Sequence, residues 1–160
     1  MTTLSLMTAA EYEAWREESI PNYARDNVAA GQWSEAESLE KSHAEVDQLL
    51  PQGLATPGHH LWAIRDDAHV DSVGTLWVAE QEHGARRIAY VFDFLVKPQH
   101  RRQGHARRAF LALEQKVGEL NLEGISLHVF GHNDAARALY ESLGYAPTNI
   151  TMFKRVGTSR

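Results

Sequence analysis

The chain has 160 residues, 43% hydrophobic and 23% charged, which fits one soluble globular domain and excludes a disordered or low-complexity protein. No apolar run approaches the ~20 residues of a membrane span, and the formal net charge of −5 argues against general nucleic-acid binding. Zero cysteines remove disulfides and thiol catalysis together, and with neither a basic lead-in nor an apolar leader at the start, a cytoplasmic location is expected.

From the start of the chain, Thr8-Ala9-Ala10-Glu11 reads as a capping box. It predicts a helix to about Ser19, which Pro21 breaks or restarts, and a further helical piece from Ile20 to about Ala30 that ends at Gly31. Ser34-Glu35-Ala36-Glu37 is a second capping box, opening a helix expected to bury Leu39, His43, Val46 and Leu50 and to stop at Pro51. Pro51 to Gly58 is a loop. An antiparallel meander of three strands follows: His60 to Arg65, Val73 to Ala79 after a turn at Asp66-Asp67, and Arg86 to Val96 after a turn at Glu82-His83-Gly84.

The stretch from Tyr90 to Leu120 concentrates the chemistry. An apolar strand, Tyr90-Val91-Phe92-Asp93-Phe94-Leu95-Val96, meets a turn at Lys97-Pro98 and then Arg101-Arg102-Gln103-Gly104-His105-Ala106, which opens a helix. Ala106, Ala109, Phe110, Leu113, Val117 and Leu120 recur on one face of it, the stripe of a helix lying on a sheet. The first-turn N–H groups of such a helix lack intrahelical partners and point one way, and the helix dipole adds partial positive charge, so the turn is an anion site. Gly104 and Ala106 leave room for a phosphate, and Arg101, Arg102, Arg107, Arg108 and His105 surround it.

Downstream lie a strand at 125–130, a helix from Asn133, a good N-cap, to Ser142, a last strand near Asn149 to Val156, and a tail at 157–160. Strands 86–96 and 125–130, joined by a helical crossover, are expected to run parallel. The expected fold class is α/β (α+β): one domain over residues 1–156, with a mixed twisted sheet of about six to seven strands and helices on both faces.

The strand–turn–helix segment resembles motif A of the GNAT superfamily of acyl-CoA N-acyltransferases. Asn133, Ala136, Arg137 and Tyr140, followed by Leu143-Gly144-Tyr145, resemble its motif B. Together the motifs cover Tyr90 onward. The resemblance implies that the loop from Arg101 through Gln103, Gly104, His105 and Ala106 to Arg107 holds the pyrophosphate of coenzyme A. It further implies that the two parallel strands splay apart at their C-terminal ends. The pantetheine arm would lie in that gap against the backbone of Leu95 and Val96, with Asn133, Ala136, Arg137 and Tyr140 on its other side. An amide near Val96 would polarise the thioester carbonyl, and Tyr140 would protonate the leaving thiolate, a packed ring being its alternative role. The implied reaction passes acetyl from acetyl-CoA directly to a primary amine, on a small molecule or a peptide, without a metal or covalent intermediate. A homodimer is a further candidate assembly. The alternative is a non-catalytic acyl-CoA-binding or regulatory module, which the presence of both Tyr140 and Asn133 disfavours.

In the family the early helices flank the amine groove, so Tyr12, Trp15, Tyr23 and Trp33 are candidates for its walls, with core packing as the competing assignment. A base must take the proton of an alkylammonium. Asp93 is the leading candidate, as the only charge between Tyr90 and Val96, against an equal claim as a structural carboxylate. Glu80 is the runner-up, and His60 and His128 follow. His59-His60 enter a strand on opposite faces and His128/His132 span a strand end and a loop, so no metal site is expected from either pair. There is no Gly-x-Ser-x-Gly elbow and no Walker Lys-Ser/Thr, and Gly104 lacks the other glycines of a dinucleotide fingerprint.

Overall fold

The structure, a computed structural model, describes residues 1–157. Five strands form one sheet in the order β1-β2-β3-β4-β5: β1 Thr2–Leu6, β2 His59–Asp66, β3 Gly74–His83, β4 Arg86–Val96 and β5 Gly124–Leu127. The first four are mutually antiparallel, and β5 runs parallel to β4 through the crossover helix α3, His105–Glu119. Helices α1, Ala9–Ala29, and α2, Glu35–Leu49, cover one face, and α3 with α4, Asp134–Ser142, the other. The result is a single α/β domain with a mixed sheet, one or two strands narrower than its sequence suggests.

Alternation along the strands builds the two cores. Leu76 and Val78 of β3 join Ala109, Phe110 and Leu113 of α3, while Trp77 between them joins Trp15 and Ile20 of α1 and Val46 of α2. The stripe on α3 is buried where its period places it, at Ala109, Phe110, Leu113 and Val117. Asn133 caps α4 by accepting from the Ala136 amide at 3.2 Å.

Several elements differ from expectation. The helix over Pro21 does not break: α1 runs through it, because Trp15 and Ile20 before the proline and Ala24 after it are buried together, and the Ser42 hydroxyl of α2 donates to the Ile20 carbonyl at 2.7 Å. The Thr8 capping box forms, but at Ser34 the hydroxyl donates to the Glu37 carboxylate instead of accepting from an amide. Leu39 and His43 are exposed, and α2 meets α1 through Ser38, Ser42 and Val46, whose small serines allow close approach. Five-residue β1, with only Leu4 buried, carries too little pattern to be read locally and is fixed by pairing with β2. The strand expected at 125–130 ends at Leu127, where β4 leaves it, and 149–156 is exposed and forms no strand. Of the expected tail, residues 158–160 lie outside the described residues.

Phe110 is fully buried, with Phe94, Tyr140 and Tyr145 around it at ring-centroid distances of 4.8, 5.3 and 6.1 Å. Phe110→Ala is expected to destabilise the protein by about 3–5 kcal/mol in denaturant unfolding. Leu39→Ser, at a site half exposed instead of buried, is expected to stay within about 0.5 kcal/mol of the parent.

Candidate active site

Strand β4 carries one extra residue. Trp77 of β3 pairs with Asp93 and Val78 with Val91, so Phe92 has no counterpart, a β-bulge at mid-strand. Its consequence is a change of facing. Val91 and Phe94 lie in the α3 core, whereas Phe92 packs on His59 and Trp77 on the α1 side, and Asp93 accepts from Trp15 and Ser19 of α1. Two consecutive side chains thereby share a face. Pairing of β4 with β5 also stops there, at Val91 with Leu127, leaving Phe92 to Val96 without a strand on the β5 side. This is the expected splay. Gly74 holds the other side shut: a Cβ there would collide with the Leu95 carbonyl, so glycine is what lets β3 stay close to Leu95 and Val96.

Past Val96 the chain makes a short 3₁₀ turn, Pro98–His100, and a loop into α3. Arg102 and Gly104 both have positive φ, 62° and 81°. The first internal amide bond of the helix is Arg108 to the Gly104 carbonyl at 3.2 Å, and no acceptor among the described residues is paired with the amides of Arg102 through Arg107. Six consecutive N–H groups at a helix start, free of acceptors among the described residues, are the kind of nest that can receive an anion.

The side chains around the nest do other work. Arg101 donates to the Val96 carbonyl at 3.0 Å, and Arg107 reaches Ser142 of α4 at 2.6 Å. Arg108 donates to the Gln103 carbonyl at 2.9 Å and to Thr2 of β1 at 3.2 Å, and lies 3.1 Å from His105 Nδ1. Of the four arginines, only Arg102 has no such contact among the described residues. A Cβ at Gly104 would meet the Arg108 guanidinium at 2.6 Å, so this glycine serves its left-handed conformation and the Arg108 crossing as well as access to the backbone. His105 turns inward and is buried, so it offers the nest its amide and not its ring. Ala136 likewise spends its amide on Asn133.

Tyr140 lies across Phe110 from Phe94, beside the open edge of β4. Burial first, and then the Asp93 charge, push its phenol up to about 12, so it stays protonated at neutral pH. Burial also raises the Asp93 carboxyl, against the donors Trp15 Nε1 at 2.9 Å and Ser19 Oγ at 3.1 Å, with the charge of Asp26 adding to the rise. Asp26 was not read from the sequence, because one acid on a helix face carries no signal; it is itself raised by desolvation and held back by His132 and Arg25. Glu80, paired with Ala89 three residues before the bulged Phe92, accepts from His60 at 2.9 Å and Arg87 at 3.0 Å and does not join Asp93. Tyr12 and Trp15 are core, stacked at 5.7 Å, whereas Tyr23 is partly exposed and meets Trp33 edge-on at 5.5 Å.

His59 accepts from Trp77 Nε1 at 3.0 Å and His60 bonds Glu80 at 2.9 Å, so each ring has a partner within the sheet. Three other histidines, His69, His100 and His105, bring one ring nitrogen each within 4.8 Å of one another. They come from a loop, a turn and a helix start, a convergence that spacing alone does not reveal. The fixed charge of Arg108 against His105 opposes a divalent cation there.

Residues 9–145 match the family model described as the Acetyltransferase (GNAT) family. The chain belongs to that family. YdgE of Bacillus subtilis (strain 168), an uncharacterized N-acetyltransferase, is 36% identical over 154 residues, covering 96% of this chain and 98% of its own. A crystal structure of YycN from Bacillus subtilis superposes with a TM-score of 0.93 at 33% identity, covering 99% of this chain and all of that one. A structure of AAC(6')-Iy with the bisubstrate analogue CoA-S-monomethyl-acetylneamine shares the fold, with a TM-score of 0.62 at 13% identity, over 99% of both chains.

Because the Asp93 pKa is raised on folding, its protonated form is the better tolerated. That contribution to stability is full below the unfolded value of 3.8 and is lost as pH rises through the folded one. Asp93→Asn, which keeps an oxygen for Trp15 and Ser19, is expected to melt above the parent at pH 7, with the difference closing below pH 3.8 in calorimetric scans.

Proposed function

We propose that this chain is an acetyl-CoA-dependent N-acetyltransferase acting on a primary amine by direct attack in a ternary complex. The observation that carries it is the row of six amides, Arg102 to Arg107, without an acceptor among the described residues, in the loop and helix start that follow the open edge of β4. That arrangement suits a long ligand with an anionic middle and an amide-bearing arm. The pyrophosphate of coenzyme A would sit on the nest, and the pantetheine amides would pair with β4 near Leu95 and Val96 as an added strand does. The bound coenzyme analogue on AAC(6')-Iy is in keeping with this.

In the reaction the amine nitrogen attacks the thioester carbon, an amide N–H near Val96 steadies the oxyanion, and the C–S bond breaks as the carbonyl reforms. The proton shed by nitrogen goes through water to Asp93, and the thiolate takes one from Tyr140. Asp93 interacts electrostatically with both Asp26 and Tyr140, and this negative charge suits an acceptor that arrives as a cation, either a small molecule or a peptide. No step calls for a metal.

Gly104→Glu places a carboxylate in the nest and is expected to cut acetyl-CoA affinity by about tenfold or more in calorimetry, while circular dichroism remains that of the parent. Unchanged binding removes the nest from the mechanism. Tyr140→Phe is expected to lower kcat on the order of 10²-fold with acetyl-CoA affinity kept. Asp93→Asn should remove the acidic limb of the kcat/KM profile, with activity recovering as pH approaches the amine's own pKa; a retained limb makes Asp93 the strut that ties β4 to α1.

A further inference from the structure

The chain holds nine histidines and no cysteine, and three of the histidines, distant in sequence, meet in space. His69 comes from the turn between β2 and β3, His100 from the 3₁₀ turn after β4, and His105 from the first position of α3. Their ring centroids lie 4.4, 5.9 and 6.0 Å apart, and interplanar angles of 66°, 70° and 85° show that the rings meet edge to face instead of stacking. Three imidazoles on one tetrahedral ion, with N–metal bonds of about 2.0–2.1 Å, hold their centroids about 5 Å apart, so the rings already stand near that spacing. One nitrogen of each lies within 4.8 Å of the other two. A closure of at most about 1.5 Å brings such nitrogens to ligating separation.

The hydrogen bonding around the rings leaves lone pairs for an ion. His100 Nδ1 is buried without a hydrogen-bond partner among the described residues, an uncompensated loss of hydration. His105 Nε2 faces Gln103 Oε1 at 3.3 Å, and a proton on that nitrogen leaves the lone pair on Nδ1, the tautomer in which a metal-bound imidazole donates its other N–H to a carbonyl. His69 is exposed, which opens a path for an ion, and Asp66 Oδ2 backs it at 4.0 Å from Nε2. Arg108 is the opposing charge, with its guanidinium 3.1 Å from His105 Nδ1. That guanidinium also donates to the Gln103 carbonyl and to Thr2, so it keeps two partners when it yields Nδ1. Burial first, and then Arg108, hold the His105 imidazole below its ordinary value while Asp66 pulls the other way, and the balance leaves the neutral ring that ligates.

We infer that His69, His100 and His105 form a site for one zinc-class divalent cation, with water in the fourth position, that clasps the β2–β3 turn to both ends of the loop from Arg101 to Gly104. An all-imidazole set suits zinc and its first-row neighbours, whereas magnesium and calcium want oxygen ligands. The Asp66 carboxylate beside the rings offsets the Arg108 charge. The clasp is independent of the catalytic reading above, because it uses three imidazole rings and leaves the loop amides untouched.

Zinc chloride titrated into the full chain without a histidine tag should bind one ion per chain in calorimetry, with a Kd on the order of 1 µM or tighter. It should raise the melting temperature by about 5–10 °C at roughly a hundredfold excess of free zinc over Kd, and magnesium chloride should not. Cobalt(II) in place of zinc should give the visible absorption of a tetrahedral site. His69→Ala removes an exposed ring, and should weaken zinc by about a hundredfold and abolish the cobalt absorption while circular dichroism stays that of the parent. His83→Ala, at an exposed histidine outside the cluster, should bind zinc as the parent does. A parent that does not bind zinc one to one, binding that survives His69→Ala, or binding lost in His83→Ala overturns the site; His100→Ala replaces His69→Ala, with the same expected loss, if the latter fails to fold.

Discussion

Pairing between β4 and β5 ends where β4 gains an extra residue, and nearly every functional feature of the molecule depends on that coincidence. A regular β4 would send Phe92 and Asp93 to opposite faces and keep its ladder with β5 to the end. With the bulge, Phe92 and Asp93 both face α1, and the strand edge from Phe92 onward is released. A backbone edge with unmet hydrogen bonds is ordinarily a hazard. Here it runs on into the loop whose amides are unpaired among the described residues, while Trp15 and Ser19 hold Asp93 and the Asp93 charge reaches Tyr140, so that unmet backbone groups and titratable side chains are gathered along one stretch of chain.

The parts of this arrangement that were legible in the sequence are those built from neighbours in the chain. Strand, turn and helix from Tyr90 to Leu120 occupy one contiguous stretch, and the α3 stripe repeats at the helical period, so pattern and structure agree there. What was not legible is settled by distant partners. Pro21 survives in α1 because residues on both sides of it are buried against the sheet and α2; Ser38 and Ser42 take the buried face of α2 because α1 approaches closely; β1 exists because β2 pairs with it. The bulge at Phe92 leaves no mark on the sequence at all. The segment 149–156 has the alternation of a strand, yet it lies exposed and forms none, because no strand of the sheet pairs with it among the described residues.

The loop shows a division of labour between side chain and backbone. Four arginines near a glycine read as a phosphate clamp, yet Arg101, Arg107 and Arg108 bind Val96, Ser142, Gln103 and Thr2. Their effect is to hold the loop: Arg101 ties it to the end of β4, Arg107 ties α3 to α4, and Arg108 ties it to β1. A ligand that binds a preformed row of amides avoids the entropy of ordering them. Positive charge remains close by, but the arrangement of the amides is a matter of backbone geometry, which composition cannot display.

The pKa values of Asp93 and Tyr140 are coupled, and the sign of the coupling suits the proposed reaction. Part of what raises the phenol is the negative charge on Asp93. Alone, a phenol near 12 is a poor acid toward a thiolate whose conjugate thiol has a pKa of roughly 8.5, so the transfer is uphill while Asp93 is ionised. When Asp93 accepts the proton released by the amine, its charge disappears and that part of the rise in Tyr140 disappears with it. The phenol becomes a stronger acid only after nitrogen has been deprotonated, which is when the sulfur needs its proton. Burial favours the neutral form of both groups, so it helps Asp93 take its proton and opposes the loss from Tyr140; in the proposed reaction each turnover would leave a protonated carboxyl beside a more basic phenolate, and passage of that proton from Asp93 to Tyr140 would restore both for the next.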